Sequence, residues 1–157
     1  MDNYFDILTE FRACNNSLSN FQRELEVAKL DHLAPDIGKS ISINDHAYFC
    51  LFFFQLEIHI KSSFTALCRH RLKMTEGPDH VAWATIAQRK PDIIGMAEIL
   101  LAKKPELIAL LKRLYKDRNA IAHEGQVALS FQITSAMEDI ELIAFEIERL
   151  PDLEAAP

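Results

Sequence analysis

The sequence predicts an all-α protein, an up-and-down bundle of four long helices with one or two short ones. Apolar residues recur at three- and four-residue steps over long stretches, and no segment alternates apolar and polar residues as a half-buried strand would. The few glycines and prolines fall largely between those stretches. The 157 residues suit one domain, 1–157, and no repeat, low-complexity run or linker divides them. Hydrophobic residues make up 49%, which is ample for a core.

The first long helix runs from Asn3 to about Leu30. Tyr4, Ile7, Leu8, Phe11, Leu18, Phe21, Leu25 and Ala28 form its stripe, and the polar patch Cys14-Asn15-Asn16-Ser17 marks a point where it can bend or break. Residues 32–42, with Pro35 and Gly38, read as a loop. Ser42 with Asp45 three positions later makes a capping box for a second helix reaching Met74. Phe49, Phe53, Leu56, Ile60, Phe64 and Leu67 make one seam, and Phe52, Phe54 and Ile58 widen it until the segment is apolar around most of its circumference. Such a helix is central in a bundle or lies at a subunit interface. Its polar members Gln55, Glu57 and His59 point outward or find partners within the core. Gly77-Pro78 is a turn, residues 81–88 form a short helix around Trp83, and Pro91 opens another over residues 92–103. Pro105 starts the helix that closes at Gly125. Residues 126–133 run extended, and Ser135 with Glu138 caps a last helix to Leu150, followed by a frayed tail after 150.

Three cysteines, Cys14, Cys50 and Cys68, form neither a C-x-x-C pair nor an even set, which predicts reduced thiols and a cytoplasmic protein. They sit in apolar contexts that predict burial. The most lipid-like run, residues 47–56, is too short to cross a bilayer, so no membrane partner is expected. Net charge is -6, unevenly spread: residues 1–60 hold 4 basic and 9 acidic groups, 61–118 hold 12 and 6, and 119–157 hold 1 and 8. The positive middle has two explanations: a local phosphate-attracting site, or helices of opposite sign packed side by side.

No phosphate-binding glycine loop, nucleophile elbow or H-E-x-x-H motif is present, and the histidines at 32, 46, 59, 70 and 80 lack ligand-like neighbours, so no metal or cofactor is expected. The candidate chemistry lies in Leu114-Tyr-Lys-Asp-Arg-Asn-Ala-Ile-Ala-His-Glu-Gly125. Leu107, Leu111, Leu114 and Ile121 form a helical stripe, and the missing step is Arg118, an arginine on a face expected to be buried. Asn119 and His123 share a face four residues apart, so the amide can hold the imidazole. Arg118 and His123 lie roughly 140° apart around a regular helix, too far to grip one atom unless the last turn loosens or a second chain supplies another copy. Histidine moves protons near neutral pH and arginine holds a phosphate, which suits metal-free phosphodiester cleavage with an RNA 2′-hydroxyl as nucleophile. The structural alternative pairs Arg118 with Glu57 or Asp117 and leaves His123 as a cation at a helix end.

Arg118-Asn119-x-x-x-His123 resembles the signature of the HEPN superfamily (higher eukaryotes and prokaryotes nucleotide-binding domains), an arginine followed by a polar residue and, after four to six positions, a histidine. The resemblance implies a helical, metal-independent ribonuclease acting on RNA as a homodimer with a composite cleft. It also implies a toxin or phage-defence role, with an antitoxin or nucleotidyltransferase partner. One subgroup carries a modifiable tyrosine two residues after the histidine; this chain has Gly125 there, so the resemblance stops short of that route. Two competing readings are a non-catalytic module that binds a nucleotide or protein partner through Phe52, Phe53 and Phe54, and an antitoxin-like inhibitor.

Overall fold

Six helices carry the fold in a computed structural model that describes residues 3–30, 34–124 and 132–150. They are α1 Tyr4–Val27, α2 Ala34–Met74, α3 Gly77–Arg89, α4 Ile93–Leu100, α5 Pro105–Glu124 and α6 Ile133–Glu148, with no strand among the described residues. Four are long and two short, and the protein is all-α. None of the described helices is long and apolar enough to cross a membrane.

The central position expected of the second helix is observed: α2 packs against every other helix. Phe49, Phe52, Phe53, Leu56 and Ile60 are fully buried, and with Tyr4, Leu8 and Phe11 of α1, Leu107, Leu111 and Leu114 of α5, and the inner face of α6 they belong to one contiguous core. Trp83 of α3 packs partly against it and carries the Arg71 guanidinium 5.8 Å from its ring centre. Of the phenylalanine run offered above as a contact surface, Phe52 and Phe53 are core residues and Phe54 alone is exposed.

Several element boundaries differ from the reading of the sequence, each for a local reason. α2 begins at Ala34, so the expected loop over 32–42 is helix for most of its length. Pro35 occupies the first turn, where no backbone donor is lost, and Gly38 has open space around it. Ser42 is an exposed mid-helix residue and not a cap, while the Asp45 carboxylate accepts from Asn15 Nδ2 at 3.2 Å. Asn15 Oδ1 in turn accepts from Asn44 at 3.0 Å. The polar patch of α1 is therefore an interhelical link and not a break, and α1 is continuous across it. α3 starts at Gly77, whose φ of +60 suits glycine, with Pro78 in its first turn. Asp92 caps α4 by accepting from Gly95 N at 2.8 Å, and Pro91 lies before the cap. A Cβ at Gly95 would come within 2.9 Å of Pro91, so the tight cap favours glycine there. Ser135 lies inside α6, which starts after Gln132 without a side-chain cap. The expected tail after 150, most of the extended run at 126–133, and His32 lie outside the described residues.

Contacts between α1 and α2 pair Phe11 with Tyr48 and Phe52, and Asn15 with Asn44 and Asp45, so the two helices run antiparallel. Removing the link at Asn15 should cost about 1–2 kcal/mol in denaturant unfolding of Asn15→Ala, against less than about 0.5 kcal/mol for the exposed neighbour in Asn16→Ala. Burial raises the Asp45 carboxyl above its usual range, against the opposing pull of Asn15 and His46. The folded chain then holds that proton more tightly than the unfolded chain. The contribution of Asp45 to stability is most favourable below its unfolded pKa and is lost as pH rises through the raised folded value. Asp45→Asn, which keeps the acceptor for Asn15, should therefore show a weaker fall in stability over that pH interval than wild type.

Candidate functional site

α5 is positioned by its inner stripe. Leu107, Leu111 and Leu114 are 5%, 0% and 1% exposed, and Tyr115 packs on Phe53 of α2 with ring centres 6.1 Å apart. One turn further on, Arg118 lies near enough to Cys50 of α2 for its charge to favour the thiolate. The ring pair of Tyr115 with Phe53, with Lys104 on Glu146 and His59 near Glu148 at the far end, sets α5 antiparallel to α2. Continuing the same register brings residues 121–123 level with 45–47, ahead of Phe49, the first α2 residue of the contiguous core. The stripe is only partly covered from Arg118 onward, and Arg118 is half-buried and not the fully buried charge expected from periodicity. Arg118 sits at the edge of the core, and Ile121, the next residue of the row, still packs partly against it.

Arg118 Nη1 donates to Asn119 Oδ1 at 3.1 Å. The amide expected to hold the imidazole of His123 instead orients the guanidinium. His123 is exposed in the last turn, where a cation is favoured by the carbonyl end of the helix. α5 stays helical to Glu124, so no loosened turn brings Arg118 and His123 together before Gly125, which lies outside the described residues.

Neither alternative partner for Arg118 is found among the described residues. Glu57 has its ion pair with Lys61 at 3.7 Å, and the register places it level with Leu111, about 10 Å along α5 from Arg118. Asp117 makes no ion pair with Arg118 among the described residues. His59 Nε2 stands 3.8 Å from Glu148 Oε1 on α6, as a partnered residue of the interior. Basic residues of the positive middle meet acids of neighbouring helices: Lys104 with Glu146, Lys112 with Glu98 and Arg113 with Asp139. Helices of opposite sign packing together therefore account for part of the charge pattern.

Cys50 is half-buried and Cys68 buried, and burial pushes both thiols up; Cys14, expected to be buried, is exposed with its sulfur 3.6 Å from the Tyr48 hydroxyl. The nearness of Cys50 to Arg118 was beyond reach of the sequence, since 68 positions separate them and neither lies in a shared motif. No three His, Cys, Asp or Glu side chains among the described residues gather as a metal-binding group.

A half-buried arginine bonded to its own neighbour contributes little to folding. Arg118→Ala should lower unfolding free energy by less than about 1 kcal/mol, whereas loss of a buried ion-pair partner would cost about 3–5 kcal/mol. The same variant should slow alkylation of Cys50 at fixed pH, read by peptide mass spectrometry, because the charge that favours its thiolate is gone. In comparisons with known proteins, no family model matches the chain, and neither the curated proteins nor the solved structures return a match.

Proposed function

We propose that the protein is a metal-independent endoribonuclease of HEPN type that acts as a homodimer in the cytoplasm. The observation that carries the reading is the end of α5, where an exposed His123 and an Asn119-oriented, half-buried Arg118 lie within two turns of each other. Neither side chain is committed to an ion pair among the described residues. The up-and-down bundle expected from the sequence belongs to this reading, and the antiparallel runs of α1 with α2 and α2 with α5 support it.

In the proposed reaction the RNA 2′-oxygen attacks the adjacent phosphorus while the bond to the 5′-oxygen breaks. His123 of one copy accepts the 2′-hydroxyl proton, and the partner's His123 gives a proton to the departing 5′-oxygen. Arg118 holds the phosphoryl oxygens, and charge developing on them strengthens that hold. Asn119 fixes the plane of the guanidinium. Two histidine roles and one histidine per chain in the Arg118–His123 motif are the chemical reason for a second copy. The products are a 2′,3′-cyclic phosphate and a 5′-hydroxyl end. The biological setting proposed with this activity is a toxin or phage-defence effector held in check by an antitoxin or nucleotidyltransferase partner.

The exposed apolar side of α2 around Phe54 favours a second reading, a non-catalytic module with a protein partner there. RNA cleavage in excess chelator separates the two. His123→Ala and Arg118→Ala should each lower the rate by about 100-fold or more with the fold intact. Cleavage at the wild-type rate by both variants would remove the catalytic assignment.

A further inference from the structure

On α2, His46, Cys50 and Phe53 follow at steps of four and three, which aligns them along one line of the helix. α5 lies over that line. Phe53 meets Tyr115 there, with ring centres 6.1 Å apart, and Cys50 feels the charge of Arg118. The antiparallel register carries on one turn further and brings His46 level with Ala122. Arg118 and Ala122 are four apart on one face of α5, just as Cys50 and His46 are on α2. His46 is half-buried, and Ala122 opposite it is small and exposed. The preceding residue, Asp45, turns instead to α1, where its carboxylate accepts from Asn15. About 100° around the helix separates the two neighbours, so one serves α1 and the other faces α5.

Arg118, His123 and His46 therefore share the end of the α2–α5 seam. Arg118 is one turn before Ala122, and His123 directly follows it. The guanidinium is steadied by Asn119, whose amide oxygen accepts from Nη1 at 3.1 Å. Packed helix axes lie about 8–10 Å apart, so an imidazole on α2 and a guanidinium on α5 can reach one phosphoryl group from opposite sides. The other α2 histidines stand far from this point. His59 and His70 lie about 14 and 30 Å along α2 from Cys50, against about 6 Å for His46.

We infer that His46 is a further phosphate-binding residue of the candidate site, donating a ring N–H to a phosphoryl oxygen from the α2 side while Arg118 holds the group from the α5 side. A neutral imidazole carries one N–H donor and a charged one carries two, so the ring donates in either form. Hydrogen bonds to an anion are stronger than those between neutral groups. His46 transfers no proton, and His123 keeps the acid and base roles. Its contact with the phosphate is made before and during reaction alike, so it acts on affinity more than on the rate of the bound complex. The choice of a phosphodiester as ligand rests on the ribonuclease reading; the position of His46 rests on the register of α5 on α2.

The test uses the full chain and a short 2′-O-methyl RNA, which lacks the attacking hydroxyl and stays uncut. In nuclear magnetic resonance of the histidine rings, the His46 and His123 signals should move together as this RNA is added, while those of His59 and His70 stay. His46→Ala should raise the dissociation constant about 10-fold, and His46→Gln, which keeps an N–H donor, by less than about 3-fold. On cleavable RNA, His46→Ala should raise KM and leave kcat within about 3-fold of wild type. A His46 signal that stays in place, or an unchanged dissociation constant in His46→Ala, overturns the inference. So does a His46→Gln as weak as His46→Ala, since packing and not the donor would then be at work. If circular dichroism shows that His46→Ala does not fold, the wild-type ring signals and His46→Gln decide. The ribonuclease reading fails separately. Signals of His46 and His123 that move in a wild type unable to cut RNA leave a phosphate site without the cleavage. Cleavage that requires His123 and is indifferent to His46 removes His46 and leaves the ribonuclease.

Discussion

The burial of one aromatic and aliphatic seam on α2 is the constraint on which the other helices depend. Phe49, Phe52, Phe53, Leu56 and Ile60 are wholly removed from water, and each contributes about 1.5–3 kcal/mol by that transfer. A helix with so broad an apolar surface cannot be solvated on its inner side, so α1, α4, α5 and α6 close over it, with α3 against its C-terminal end. The pairing of Tyr115 with Phe53 then determines which α5 residues follow into the core and which emerge from it.

The candidate chemistry lies where that seam ends. Leu111 and Leu114 are held in the core; Arg118, on the same stripe, is only half-buried and has Asn119 rather than a carboxylate as its bonded neighbour. A half-buried arginine carries a smaller desolvation cost than a fully buried one, and Arg118 makes no ion pair among the described residues. The same position explains its effect on Cys50: a cation next to a partly buried thiol offsets part of the rise that burial causes.

Much of this was legible in periodicity. The stripes of α1, α5 and α6 follow three- and four-residue steps, and Met74 and Pro105 mark true helix ends because a turn and a proline punctuate them. The start of α2 was not legible, since Pro35, Gly38 and the Ser42–Asp45 pair all imitate a loop and a cap. Pairing across space overruled those local signals: Asp45 is used by Asn15 of another helix, a contact thirty positions distant. At the site, Arg118 and His123 were found by residue type and spacing, whereas the bond that orients Arg118 was assigned to the wrong side chain. Helical wheels place side chains on faces but do not say which rotamer a long guanidinium takes to meet an adjacent amide.

One consequence concerns the unequal ends of α2. Leu25 is buried where α1 lies along the early part of α2, yet it stands outside the contiguous core, whose first α2 residue is Phe49. Before that point α2 leans on α1 through the Asn15 link, while after it five helices share the burial. Local opening therefore takes less free energy in the early part than in the later part, and amide hydrogens there should exchange with solvent by a separate, shallower route. By the register of α5 on α2, His123 falls level with Asp45, one helical turn on the early side of Phe49. A long ligand lying across the end of α5 would touch a fixed wall on one side and a yielding one on the other.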